Sequence, residues 1–247
     1  MNIIQEYLKR YKKCIIAISG LAGTGKSIVA RLLNDALQKN NLSFKLINVD
    51  QYTVPDRKIE TKITDDITIN DSENVEMFDW KRINKDISDN SSSGVIIYGG
   101  MIPNEKMNKG NKIDVHIYIK IAKQNLINRR KKYLEKKNVK YEEEKEKLII
   151  NKLIYPRYIK YTEKEGANIN KFVNANNFLS ENDELDVEKM TDELFTFLMD
   201  FINKKVQPKT QPNENKKYKK KINTPNDDDD DDVVHLTTVK FNRSQKY

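Results

Sequence analysis

One cysteine stands alone in 247 residues, and only two histidines accompany it. The single Cys14 excludes an intramolecular disulfide, which suits a reducing compartment. Inside the apolar run CIIAIS it is expected to act as a small buried hydrophobe. His116, within a strand-like run, and His235, near the C-terminal end, lack the company of other metal-ligating residues, so a zinc site is not expected. No stretch approaches the roughly 18 consecutive apolar residues of a membrane helix. The opening MNIIQEYLKRYKK is amphipathic and charged, without the apolar centre of a signal peptide. The expected location is therefore the cytoplasm, the host cytoplasm if the chain is viral. Internal repeats are absent as well.

What the chain has in abundance is charge. One third of the residues are Asp, Glu, Lys or Arg, and the net charge is +8. That balance suits an anionic small molecule, a nucleic acid or plain solubility, and the even mixing of signs favours solubility. The length fits one sizeable core with an appendage. From about residue 206 the composition changes to QPKTQPNENKKYKKKINTPNDDDDDD, with almost nothing to bury. Residues 206–247 read as a disordered tail. Its lysine cluster is of the kind that touches nucleic acid or serves as a nuclear import signal. With six aspartates beside it, a solvated tail whose charge blocks attract each other is the stronger expectation.

Ahead of the tail, residues 1–12 form a lead-in helix and 13–205 one domain. Apolar runs at 13–19, 43–50, 94–98, 113–119 and 169–175 read as strands, and amphipathic stretches at 75–87 and 187–202 as helices. Between residues 26 and 37, Ile28, Leu32 and Ala36 repeat at one spacing, as do Val29, Leu33 and Leu37. A long charged helix starts near Lys123. Strands alternating with helices predict a three-layer α/β fold with a mostly parallel five-stranded sheet.

Gly20, Leu21, Ala22, Gly23, Thr24, Gly25, Lys26 and Ser27 match G-x-x-x-x-G-K-[ST] at every fixed position. The glycines let successive backbone N–H groups point into one concavity, and the following helix adds its positive N-terminus. Lys26 is placed to reach the β- and γ-phosphates of ATP, and the Ser27 hydroxyl to ligate Mg²⁺. Asp50 follows the second strand in INVDQY. Ligands gather beyond the carboxyl ends of parallel strands, so its carboxylate is a candidate proton acceptor and Mg²⁺ partner; the bland alternative is a cap or turn residue.

The blocks IIAISGLAGTGKS, NVDQY, MFDW, VIIYGG, DVHIYI…NRRKK and YPRYIKYTEKEGANINKFVN occur in the order of corresponding blocks in the uridine kinase-like nucleoside kinases. That group includes uridine–cytidine kinase, nicotinamide riboside kinase and phosphoribulokinase, and the chain resembles it over about residues 13–178. The resemblance implies a helical lid at about 123–160 and Asp50 as the base acting on a nucleoside 5′-hydroxyl. It implies Arg129 and Arg130 over the ATP phosphates, with Lys131 and Lys132 assisting, against the bland reading of a solvated basic helix. The resemblance also makes Tyr52, within the block that carries the base, a candidate substrate contact. Tyr158, which shares a helix face with Tyr155 and Tyr161, either borders the substrate or packs in the core; core packing is the expectation.

Two departures from that pattern stand out. The family ends its third strand with a glutamate that helps hold Mg²⁺, and here Tyr98 occupies the place; Glu105 in the next loop is a candidate substitute. Uridine–cytidine kinases also carry an inserted base-recognition hairpin, yet only about 14 residues separate FDW from VIIYGG. Three readings stay open: an ATP-dependent nucleoside kinase, another small-molecule kinase such as one acting on nicotinamide riboside, and a nucleotide-binding interaction protein without turnover. Base preference and oligomeric state are not legible.

Overall fold

The computed structural model describes residues 3–90, 94–136 and 140–207. The tail segment 208–247, including His235, lies outside them.

A five-stranded sheet forms the middle layer: β1 (Ile15–Gly20), β2 (Phe44–Asn48), β5 (Gly94–Tyr98), β6 (Val115–Lys120) and β7 (Lys171–Asn174). The spatial order is β2-β5-β1-β6-β7, and every pairing is parallel. The central strands are apolar on both faces, as a covered parallel sheet requires. All six residues of β1 are buried.

Alternation along the strands divides the core. Ile16, Ile18 and Ile96 join Val29, Leu33 and Leu37 of helix α2 (Lys26–Lys39) and Met190, Leu194 and Leu198 of α7 (Val187–Val206). Ile15, Ala17, Val95 and Ile97 point the other way, onto Trp80, Ile83 and Ile87 of α3 (Trp80–Asp89). Of the two apolar repeats in α2, burial selects Val29, Leu33 and Leu37; Ile28 is 43% exposed. Helix α1 (Ile3–Tyr11) packs on α7, with Arg10 Nη1 donating to the Val206 carbonyl at 2.8 Å. Helix α7 therefore continues through Val206, which is buried.

Two local expectations are corrected. The helix expected at 75–87 begins at Trp80, after a single 3-10 turn (Val75–Met77). Phe78 is extended and bridges Thr53, and the Asp79 side chain caps the helix by accepting from Arg82 N at 3.0 Å. Between β2 and α3 lies an antiparallel hairpin that sequence patterning did not suggest, β3 (Glu60–Lys62) and β4 (Thr68–Asn70). Its strands are only three residues long and expose Glu60, Lys62, Thr68 and Asn70.

Beyond β6 run α4 (Lys123–Lys136), α5 (Glu143–Ile149), a π-helical stretch (Ile150–Ile154) and α6 (Tyr155–Glu165). Helix α6 covers the α3 side of the sheet: Tyr158 and Tyr161 are buried against Tyr118, and Tyr161 also meets His116.

Candidate active site

The chain leaves β1 for β2 on one side and later returns to β6 on the other. The glycine-rich loop emerges where that direction reverses, at the carboxyl end of β1. Gly20 is required by space as much as by conformation. Its φ is +148°, and a Cβ there would lie 2.2 Å from the Ile119 carbonyl oxygen of the neighbouring strand. Gly25, at φ +85°, is the N-cap of α2. The loop is braced internally, since Thr24 Oγ1 and Lys26 Nζ both donate to the Leu21 carbonyl, at 2.8 and 2.6 Å.

Beneath the loop, buried Ser19 contacts His116 Nε2 through its hydroxyl at 2.7 Å, and Tyr161 OH approaches the same nitrogen at 3.3 Å. Burial pushes His116 down to about 4, so the ring is neutral. Tyr161 OH also donates to the Ile102 carbonyl at 3.0 Å. This cluster ties the foot of the loop to α6.

Lys26 is the electrostatic centre. Removal from water lowers its ammonium to about 8, against the opposing pull of two carboxylates, Glu73 and Asp50. Asp50 sits in a 3-10 turn (Val49–Tyr52) directly after β2; its amide donates to the Asn48 side chain at 3.2 Å and its side chain is exposed. Ser27 is exposed on the first turn of α2.

Both arginines of α4 expected over the phosphates reach the site, by different routes. Arg129 Nε donates to the Gly23 carbonyl at 2.5 Å, and its Nη1 to the Asp183 carbonyl at 3.0 Å. Arg130 is held by two carboxylates, Glu146 at 2.6 Å and Glu73 at 3.3 Å. Lys132 donates to the Asn182 carbonyl at 2.9 Å, and Lys131 lies 5.7 Å from the centre of the Tyr141 ring. Neither contact is with the loop.

Tyr52 turns to α3: its hydroxyl donates to Asp86 at 2.7 Å, and the Arg82 guanidinium covers its ring. Tyr158 is 2% exposed. With Leu21, Tyr155 and Phe172 it lines a cavity of about 350 Å³ on the α6 side of the loop. Tyr98 ends β5 within the field of Asp50 and Arg31, and partial burial raises its phenol. Glu105 pairs with Lys164 at 2.5 Å, both more than half exposed, and its other charged neighbour is Lys106.

Three residues escaped the sequence reading. Asp71 is 2% exposed and takes both guanidinium nitrogens of Arg157. Glu73, two residues on, has one oxygen on Arg130 and the other, Oε2, buried without a hydrogen-bond partner. Burial raises its carboxyl above the usual range, with Arg130, Lys26 and Arg157 opposing the shift. The run TDDITINDSEN has no periodicity to single out these acids among their neighbours. Arg157 lies between tyrosines that attract attention first.

Among the described residues no group of three or more His, Cys, Asp or Glu could hold a metal by itself. The oxygen donors beside the loop, the Ser27 hydroxyl and the Asp50 carboxylate, do fit Mg²⁺ of the kind held by one or two carboxylates together with substrate phosphates. No described helix is long and apolar enough to cross a membrane.

These elements make the chain an α/β protein with a glycine-rich loop at the head of its parallel sheet. No protein-family model and no curated protein matches it. Among solved structures, a gluconokinase from Sinorhizobium meliloti 1021 is similar at TM-score 0.48 and 12% identity, over 77% of this chain and 94% of that one. A possible uridine kinase from Bacillus stearothermophilus is similar at TM-score 0.41 and 12% identity, over 69% of this chain and 97% of that one. Likeness at this level carries no functional argument, so function is read from the site's own residues.

Proposed function

We propose that the protein is an ATP-dependent kinase of the uridine kinase-like group, transferring the γ-phosphate of ATP to the 5′-hydroxyl of a nucleoside. The observation that carries this reading is the juxtaposition of Lys26 and Asp50 at the mouth of a glycine-rich loop that Arg129 contacts. A hydrolase needs only a positioned water. A solvent-facing carboxylate beside the phosphate lysine suits an incoming hydroxyl acceptor.

In this mechanism the loop amides and Lys26 hold the β- and γ-phosphates. Ser27 and Asp50 would hold Mg²⁺, which would supply neutralising charge for the phosphates. Asp50 accepts the proton of the attacking hydroxyl. Arg129 and Arg130 offer planar, paired donors to the equatorial phosphate oxygens. Transfer is then a matter of positioning and electrostatics, without a covalent enzyme intermediate. This requires Lys26 and Arg129 to exchange carbonyl partners, and Arg130 a carboxylate partner, for phosphate.

The test is transfer from radiolabelled ATP to a panel of nucleosides by the purified protein. Product from uridine or cytidine is expected, with Asp50→Ala lowering turnover by about 10²- to 10⁴-fold while ATP still binds. Product from nicotinamide riboside alone replaces the acceptor. ATP binding without transfer to any acceptor leaves an interaction protein. Full activity of Asp50→Ala removes the mechanism.

A further inference from the structure

Tyr98 ends β5 in the field of Asp50 without offering a carboxylate, and Glu105 is committed to Lys164. We propose that Glu73 supplies a second carboxylate, beside Asp50, for the divalent cation that accompanies the nucleotide. The inference rests on the kinase reading above and deepens it at the same site.

Three observations carry the assignment. The first is position. Neighbouring arginines of α4 join the loop to Glu73, Arg129 through the Gly23 carbonyl and Arg130 through Glu73 Oε1. The second is the unused oxygen: Glu73 Oε2 is buried and has no hydrogen-bond partner. A buried carboxylate oxygen left unpaired is costly, and a cation satisfies it directly. The third is charge. Asp71 is matched by Arg157, and the single charge of Arg130 is shared between Glu146 and Glu73. Lys26 then faces both Glu73 and Asp50. Seating a polyanionic triphosphate against those two carboxylates sets like charges side by side unless a divalent cation stands between them. Mg²⁺ characteristically takes one or two protein carboxylates and fills its remaining positions with phosphate and water.

The hairpin β3–β4 is what brings this residue in. Asp71 N donates to the Ile59 carbonyl at 2.7 Å and Arg157 clamps the Asp71 side chain, so the segment leading to Glu73 is fixed at both sheet and helix.

The experiment is direct titration of Mn²⁺ into the full-length protein carrying a non-hydrolysable ATP analogue, followed by electron paramagnetic resonance of free Mn²⁺. Glu73→Gln keeps shape and removes charge. It is expected to weaken Mn²⁺ binding on the order of tenfold or more, while analogue binding in EDTA stays equal or tightens. Glu105→Gln, at a carboxylate already paired with Lys164, leaves both unchanged. Equal Mn²⁺ affinity in wild type and Glu73→Gln overturns the proposal. So does a variant that binds the analogue more tightly both with and without metal, because Glu73 is then a carboxylate displaced by phosphate. Wild-type protein that binds no analogue at all removes the kinase reading and this inference together. Metal-dependent binding that survives Glu73→Gln removes this inference alone.

Discussion

Lys26 is held at a cost to the folded chain, and its replacement by methionine should expose that cost. Burial moves its ammonium from 10.5 to about 8. At about 1.4 kcal/mol per unit, keeping the charge costs the native state roughly 3 kcal/mol at neutral pH. Methionine has similar reach and no charge. It forfeits the bond to the Leu21 carbonyl, worth about 1 kcal/mol, but that oxygen retains Thr24 as a donor. The net gain expected for Lys26→Met at pH 7 is therefore roughly 2 kcal/mol, or about 4–8 °C in Tm for a domain of this size. On the proposed function, phosphoryl transfer by the same variant falls roughly a hundredfold or more. The sign of the pH dependence follows from the lowered value. Between pH 8 and 10.5 the unfolded amine still holds a proton that the folded one has released, so wild-type stability rises with pH. The gap between variant and wild type should close by about pH 10. Urea unfolding followed by the fluorescence of the single, buried Trp80 measures both quantities. A variant no more stable than wild type at pH 7, or a gap unchanged from pH 7 to 10, refutes the reasoning.

Two further perturbations test the frame around the site. Arg157→Leu strands the carboxylate of Asp71, which is 2% exposed, and should cost about 3–5 kcal/mol in urea unfolding. Adding Asp71→Asn should recover part of that loss; a double variant as unstable as the single one excludes charge as the cause. Gly20→Ala sets a methyl 2.2 Å from the Ile119 carbonyl. It should leave the protein insoluble or unfolded, and a soluble variant with wild-type Tm would contradict the packing of β1 on β6.

The central strands β1, β5 and β6 were legible in the sequence because they are almost wholly buried and stand as apolar runs. The edge strands β2 and β7 are half-buried and show shorter apolar stretches, and observed ends differ from expected ones by a few residues. The loop was legible because its chemistry fixes residue types at fixed spacing. The hairpin was not, since three-residue strands ending in exposed polar side chains carry no alternation to recognise. Helix α3 was placed too early because Val75, Met77 and Phe78 are apolar in an extended or single-turn conformation, and only the capping geometry of Asp79 marks the true start. The carboxylates around Lys26 were half legible. Asp50 follows a strand and so declares its place, whereas Glu73 arrives through the pairing of Asp71 with an arginine 86 positions away, a tertiary fact with no local signature.

The union of α1 with α7 bears on how the molecule is made. Arg10 and Tyr11 bond the carbonyls of Val206 and Lys205, partners 196 and 194 positions apart. A chain emerging from the ribosome can build its phosphate loop and the strands on either side long before these contacts exist. Helix α2, which carries Lys26 and Ser27, packs on α7 as well. One face of the proposed nucleotide site therefore stays unsupported until nearly the whole domain has been synthesised. Closing contacts over such separations is slow relative to forming local ones. Competence to bind nucleotide should then come as the final event of folding, gated by the last helix to arrive.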